Sequence, residues 1–206
     1  MTSFLNQDSI TAVDDRGIVG FLLASPTDVL GWFAELPGAI REKDWFTYIP
    51  GSRNDRALLS AHCDTRKLGP RSVDEIYLGD RIGLNWGSDA QCLGADDRAG
   101  CCALWGLRDF GHSLLVCNYE ETGQLGAHEW ARHFGALVQE DKTDAHSFVL
   151  GFDRRGGKDL AQYGQVTSEF QAYIRSHFPG YGFCRGTCSD VHVLAETMGV
   201  CGVNLS

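Results

Sequence analysis

Arg56-Ala-Leu-Leu-Ser-Ala-His62, with Cys63 and Asp64 directly behind it, reads as a buried strand that ends in polar, chemistry-bearing side chains. Outward from it the same pattern recurs. Ala99-Gly-Cys-Cys-Ala-Leu-Trp-Gly-Leu107 predicts a helix packed closely through small residues, and His112-Ser-Leu-Leu-Val-Cys-Asn-Tyr119 predicts the next strand. A helix is expected from Leu125 to Gly135, with apolar Trp130 and Phe134 four apart, and a strand over His146 to Phe152. Thr167 to Phe178 predicts a helix with Phe170, Tyr173 and Ile174 on one face. Ser189 to Met198 predicts a last helix, and Val200-Cys-Gly-Val-Asn-Leu205 a last strand. Strands alternating with helices of this length predict an α/β fold: three layers, α/β/α, with a mostly parallel central sheet covered on both faces. In such a sheet the ligand crevice lies outside the carboxyl ends of the strands.

The rest of the composition narrows the function classes. The chain has 206 residues, 43% hydrophobic and 22% charged, which is ordinary for a globular domain and excludes low-complexity disorder and coiled coil. No repeat, Pro-rich linker or charge block divides it, so 1–206 is read as a single domain. Acids outnumber bases 27 to 18, for a net charge of −9. Clustered Lys and Arg are what polyanions require, so neither nucleic acid nor an anionic membrane is an expected partner. The start, Met1-Thr-Ser-Phe-Leu-Asn-Gln-Asp8, has neither the basic region nor the apolar run of a secretion signal. The eight cysteines include adjacent Cys101 and Cys102 in a helical pattern and Cys117 in a strand, with no C-x-x-C pair. They read as small core hydrophobes, in preference to a thiol-redox pair at Cys184 and Cys188, and a reducing, cytoplasmic location is expected.

Polar residues gather at the predicted strand ends. His62-Cys63-Asp64 places two side chains on one face of an extended segment, where Asp64 can reach the imidazole and fix its tautomer. Asp96 and Asp97 stand at a helix start, Glu120-Glu121 close the second strand, and Asp153 closes the third with Arg154 and Arg155 behind it. Singly, these have bland explanations: a solvated loop, an N-cap, surface glutamates. Their recurrence at strand ends favours one shared crevice.

His62-x-Asp64, Gly94-Ala-Asp96-Asp97-x-Ala-Gly100, Glu120-Glu121-Thr-Gly123 and Asp153 resemble, in order and spacing, the zinc-dependent exopeptidase superfamily, which includes the co-catalytic zinc aminopeptidases and the peptidase T and carboxypeptidase G types. Phe152-Asp-Arg-Arg-Gly156, Gly186-Thr-Cys-Ser-Asp190 and Val203-Asn-Leu-Ser206 are most similar to the aminopeptidase branch. The resemblance implies one metallopeptidase-like catalytic domain and two divalent metal ions, zinc in the family, although His/Asp/Glu sets also accept manganese and cobalt. It implies that His62 and Asp153 hold one ion, that Asp96 bridges both, and that Glu121 binds the second. Glu120 is then the general base and Asp64 the catalytic partner that orients His62. A cis peptide between Asp96 and Asp97 is also implied. The implied activity is release of amino acids from short peptides by metal-assisted hydrolysis.

Two departures qualify this. The family's last histidine ligand comes several residues beyond the Asn-Leu-Ser strand, and the sequence stops at Ser206, so a chain truncated before that ligand, with a weak or empty second site, is expected. His128 and His192 are poor replacements: the first resembles a solvated helix face with Glu129 and Arg132, the second a core pattern. The stretch between Asp153 and Ser189 has room for a hairpin and one helix, not for an inserted lid or dimerisation domain. Arg154 and Arg155 are read as neutralising the carboxylates or clamping a substrate carboxylate. A catalytically impaired metal-binding module of the same fold stays open, as does amide hydrolysis of N-acyl or N-carbamoyl amino acids.

Overall fold

A computed structural model describes residues 17–135, 146–153 and 155–205. Its centre is an eight-stranded sheet in the order β1-β2-β6-β3-β7-β10-β8-β9. The strands are β1 (Ile40–Glu42), β2 (Phe46–Ile49), β3 (Leu58–His62), β6 (Ser113–Cys117), β7 (Phe148–Gly151), β8 (Asp159–Gly164), β9 (Gly182–Arg185) and β10 (Cys201–Leu205). β6, β3, β7 and β10 run parallel through the middle. β1 and β2 extend one side antiparallel, and β8 lies antiparallel on β10 at the other. A separate two-stranded ribbon, β4 (Ile76–Leu78) with β5 (Ile82–Leu84), projects between β3 and the first long helix.

Side-chain alternation along the central strands feeds two helical layers. Leu59 and Ala61 of β3 and Leu114 and Val116 of β6 face helices α1 (Ile18–Leu23), α2 (Pro26–Ala34) and α3 (Ala95–Leu107), packing with Phe21, Leu30, Phe33, Leu104 and Trp105. Leu58, Leu115, Cys117 and Val149 point the other way, onto α4 (Leu125–Trp130) and α6 (Asp190–Met198) through Trp130, Val191 and Leu194. α5 (Ser168–His177) seats Phe170 and Ile174 against Leu160 and Val203. Each fully buried leucine of this kind contributes roughly 1.5–3 kcal/mol, so the alternation pins the register. α2 begins at a reciprocal cap: the Ser25 hydroxyl accepts from the Asp28 N–H at 3.2 Å, and the Ser25 N–H donates to the Asp28 carboxylate at 3.0 Å.

The three-layer α/β/α expectation holds, with differences of detail. Asp159–Arg185 is not a hairpin with a helix: β8, α5 and β9 form a crossover, and β8 pairs with β9 in parallel. The helix expected over 125–135 is α-helical only to Trp130 and continues as a π-helical turn over Ala131–Gly135; the Phe134 side chain lies outside the described residues. Tyr173 is 50% exposed, resting its ring on Phe148 at the edge rather than in the core. No helix among the described residues is long and apolar enough to cross a membrane.

Candidate metal centre

β6, β3 and β7 are sheet neighbours, and their carboxyl ends deliver three of the four expected pieces to one spot. His62 is the last residue of β3 and is 1% exposed. Asp153 follows β7, and Glu120 and Glu121 lie in a 3-10 turn after β6. The fourth piece does not end a central strand: Asp96 and Asp97 come from the loop that opens α3, after the β4–β5 ribbon. Gly94 turns into that helix in the left-handed region, at φ 73°, and the Asp96–Asp97 peptide is cis.

His62 Nε2 lies 3.3 Å from Asp96 Oδ1 and 3.5 Å from Asp153 Oδ1. Ligands about 2.0–2.1 Å from a tetrahedral ion are themselves about 3.3–3.4 Å apart, so these spacings fit a shared divalent ion. His62, Asp96 and Asp153 form the one group of three or more metal-ligating side chains among the described residues whose ligand atoms all fall within 4.8 Å of one another. The other ring nitrogen is held from behind: His62 Nδ1 is 3.1 Å from the Asp64 carbonyl oxygen and 3.3 Å from Asp64 Oδ1. The Asp64 carboxylate also accepts the N–H groups of Glu120 (3.1 Å) and Glu121 (3.2 Å). Burial presses the His62 ring toward neutrality, but its bonds to Asp153, Asp64 and Asp96 outweigh this and hold it well above the usual histidine range. Burial works against the Asp64 carboxylate too, and the His62 contact with the two N–H donors overcomes it, leaving Asp64 lowered.

Asp97 is not part of the cluster. It is 3% exposed, with Oδ1 accepting from the Gly100 N–H at 3.0 Å and Oδ2 facing the His62 N–H at 3.4 Å. It therefore caps α3 and ties that helix to β3, and burial raises its carboxyl. A Cβ at position 100 would fall on the Asp97 carboxylate, which is why glycine stands there. Two thiols support the same join: Cys63 Sγ donates to the Cys117 carbonyl and Cys101 Sγ to the His62 carbonyl, each at 3.2 Å. Burial pushes all three sulfhydryls, including Cys117, upward. These three match the core-hydrophobe reading; Cys188 is exposed and Cys184 part-buried, with its thiol 3.8 Å from Asp159.

Glu120 is 9% exposed, with Oε2 4.0 Å from His62 Nε2. Burial, then the charges of Asp153 and Glu121, raise its carboxyl. Glu121 is elsewhere engaged: its Oε2 accepts from Arg66 Nε at 2.6 Å. Asp96, Glu120, Glu121 and Asp153 line an open cavity of about 570 Å³, with Arg66 and Arg155 also on its wall. Arg154 lies outside the described residues. His128 is exposed on α4, consistent with a solvated face on which Glu129 pairs with Arg132. His192 is not core: it is half-exposed, 3.7 Å from Glu196, in a different cavity of about 690 Å³ beside β8 and β9.

Two residues were not marked by the sequence. Arg66 carries no local signal, since its partner is 55 positions away. Asp190 is buried at the start of α6 beside the Cys117 thiol, and burial drives its carboxyl up to about 8.

No protein-family model matches the chain, and no curated protein sequence matches it. Solved structures do. PhTET1-12s, described as a dodecamer in the asymmetric unit, aligns at 11% identity and a TM-score of 0.55 over 94% of this chain and 90% of that one. Aminopeptidase APDkam598 from the archaeon Desulfurococcus kamchatkensis aligns at 12% identity and 0.51, over 88% and 80%. Aminopeptidase PepT from Bacillus cereus ATCC 10987 aligns at 14% and 0.49 over 71% of this chain, which spans only 44% of that protein's length. At these identities the likeness establishes the fold.

Proposed function

We propose that the chain is a metal-dependent hydrolase of the exopeptidase type that removes residues from short peptides. The observation that carries this reading is the convergence of His62 Nε2 with carboxylate oxygens of Asp96 and Asp153 at ligand–ligand spacing, on an open cavity, with the Glu120 carboxylate beside them. A fold alone does not fix a reaction, so the reading rests on the site, which has the parts amide hydrolysis needs.

A divalent ion bound there would supply Lewis-acid polarisation of a scissile carbonyl and a lowered pKa for water. His62, Asp96 and Asp153 would hold it, and Asp64 keeps the His62 ring in the tautomer that presents a lone pair at Nε2. Glu120 acts as general base: it accepts the proton of the attacking water and returns it to the departing amine. Its raised carboxyl suits both halves of that task, because a base closer to neutral pH is also a competent acid.

The test is release of free amino acids from a panel of di- and tripeptides by protein stripped of metal and then reloaded with zinc, manganese or cobalt. Metal-dependent release is expected. Turnover restricted to N-acyl or N-carbamoyl amino acids would replace the peptidase reading with an amidohydrolase one, and no metal-dependent hydrolysis of any of them would sink both.

A further inference from the structure

We propose that this chain builds a centre for one metal ion, and that the Arg66 guanidinium occupies the Glu121 carboxylate that a second ion would need. The inference rests on the hydrolase reading above and concerns how many cations the site takes. Three observations carry it.

First, Glu121 already has a cation. Arg66 Nε stands 2.6 Å from its Oε2, a short charge-assisted contact. The Glu121 side chain is only 15% exposed while Arg66 is 72% exposed, so the carboxylate is built into the wall and the guanidinium reaches in from solvent.

Second, the donors for a second ion do not suffice among the described residues. A catalytic zinc takes three protein ligands. Beyond the group formed by His62, Asp96 and Asp153, no other set of three converges among the described residues. Asp96 could be shared, but Glu121 would have to give up Arg66, and His128 and His192 stand respectively on an exposed helix face and beside Glu196.

Third, the pair has a place in the architecture. Arg66 and Glu121 both line the 570 Å³ cavity of the metal group and also a neighbouring one of about 440 Å³ that reaches Asp64 and Tyr119. They are the two residues common to both linings. There the guanidinium neutralises the Glu121 carboxylate and takes the place a divalent ion would need. Glu121 is thereby an arginine partner, held in place through its own N–H by the Asp64 carboxylate.

Equilibrium dialysis of the metal-stripped full chain against zinc decides the matter, with metal counted by mass spectrometry. The unaltered chain is expected to take up one equivalent at micromolar free zinc. Arg66→Gln, at an exposed position where folding is not at risk, should strengthen a second equivalent by about tenfold or more, the weight of one lost charge-assisted pair. Arg66→Lys should keep the single equivalent, and Glu121→Gln should leave it in place. Two equivalents of similar affinity in the unaltered chain, or a second affinity that ignores Arg66→Gln, would overturn the inference while peptide hydrolysis still supported the hydrolase reading. No zinc uptake at all would overturn both.

Discussion

Asp64 and Glu120 belong to different strand ends, yet the Asp64 carboxylate accepts the Glu120 N–H at 3.1 Å while its same oxygen lies 3.3 Å from the His62 ring. One carboxylate thus sets both the histidine and the turn that carries the base. Asp64→Asn presents an amide N–H₂ where N–H donors already converge, so one of these contacts must be lost. Zinc affinity is expected to fall about 10- to 100-fold, with a lower melting temperature. Unchanged affinity in a titration would show that the Asp64 backbone carbonyl, and not its carboxylate, orients His62.

Glu120→Gln removes the base without changing the shape of the side chain. Peptide turnover should drop by about 10²- to 10⁴-fold with zinc uptake retained. If uptake falls together with turnover, Glu120 is a ligand and not a base.

Gly100→Ala drives a methyl group into the Asp97 carboxylate. A loss of about 1–3 kcal/mol is expected from chemical denaturation. Gly106, on the exposed side of the same helix with nothing within 4 Å of its would-be Cβ, serves as the control: alanine there should be neutral or stabilise by up to about 1 kcal/mol.

His112 sits far from the metal group and accepts the Ala57 N–H at Nδ1 (3.1 Å). Burial, then the charge of Arg53, hold its pKa below the usual value, so the unfolded chain takes up the proton first as pH falls. Stability from this group is complete above about pH 6.5 and is lost as pH falls through the lower folded value. His112→Asn keeps an acceptor that does not titrate, and its melting temperature should decline less between pH 7.5 and 5 than that of the unaltered chain. Parallel decline in both would exclude His112 as the cause.

The fold was most legible where strands are buried on both faces. Leu58–His62, Phe148–Gly151 and Cys201–Leu205 are short apolar runs bounded by polar residues, and the sheet places each within two residues of its expected limits. β8 and β9 were not, because a parallel pair joined through α5 has the same local sequence signature as a hairpin flanking a helix. The exposed β4–β5 ribbon buries little beyond Ile76 and so carries no periodic signal. At the site, residue types pointed to the metal group, but aim did not follow from type. Tyr119 adopts a left-handed conformation (φ 64°), unusual for a side chain that is not glycine, and this bend turns both glutamates into the crevice. Contacts such as Arg66 with Glu121, spanning 55 positions, exist only once the strands are side by side.

The three buried sulfhydryls under His62 have a practical corollary. Cys63 and Cys101 are sealed between β3 and α3, each donating to a backbone carbonyl, and Cys117 is buried on the opposite face of the sheet beside Asp190, whereas Cys188 faces solvent. An alkylating reagent will therefore modify Cys188 promptly, reach Cys63 and Cys101 only when α3 lifts from the sheet, and reach Cys117 only when the helices on the other face do. The chain carries its own stopwatch for the opening of its interior, started by mixing with the reagent and read by peptide mass.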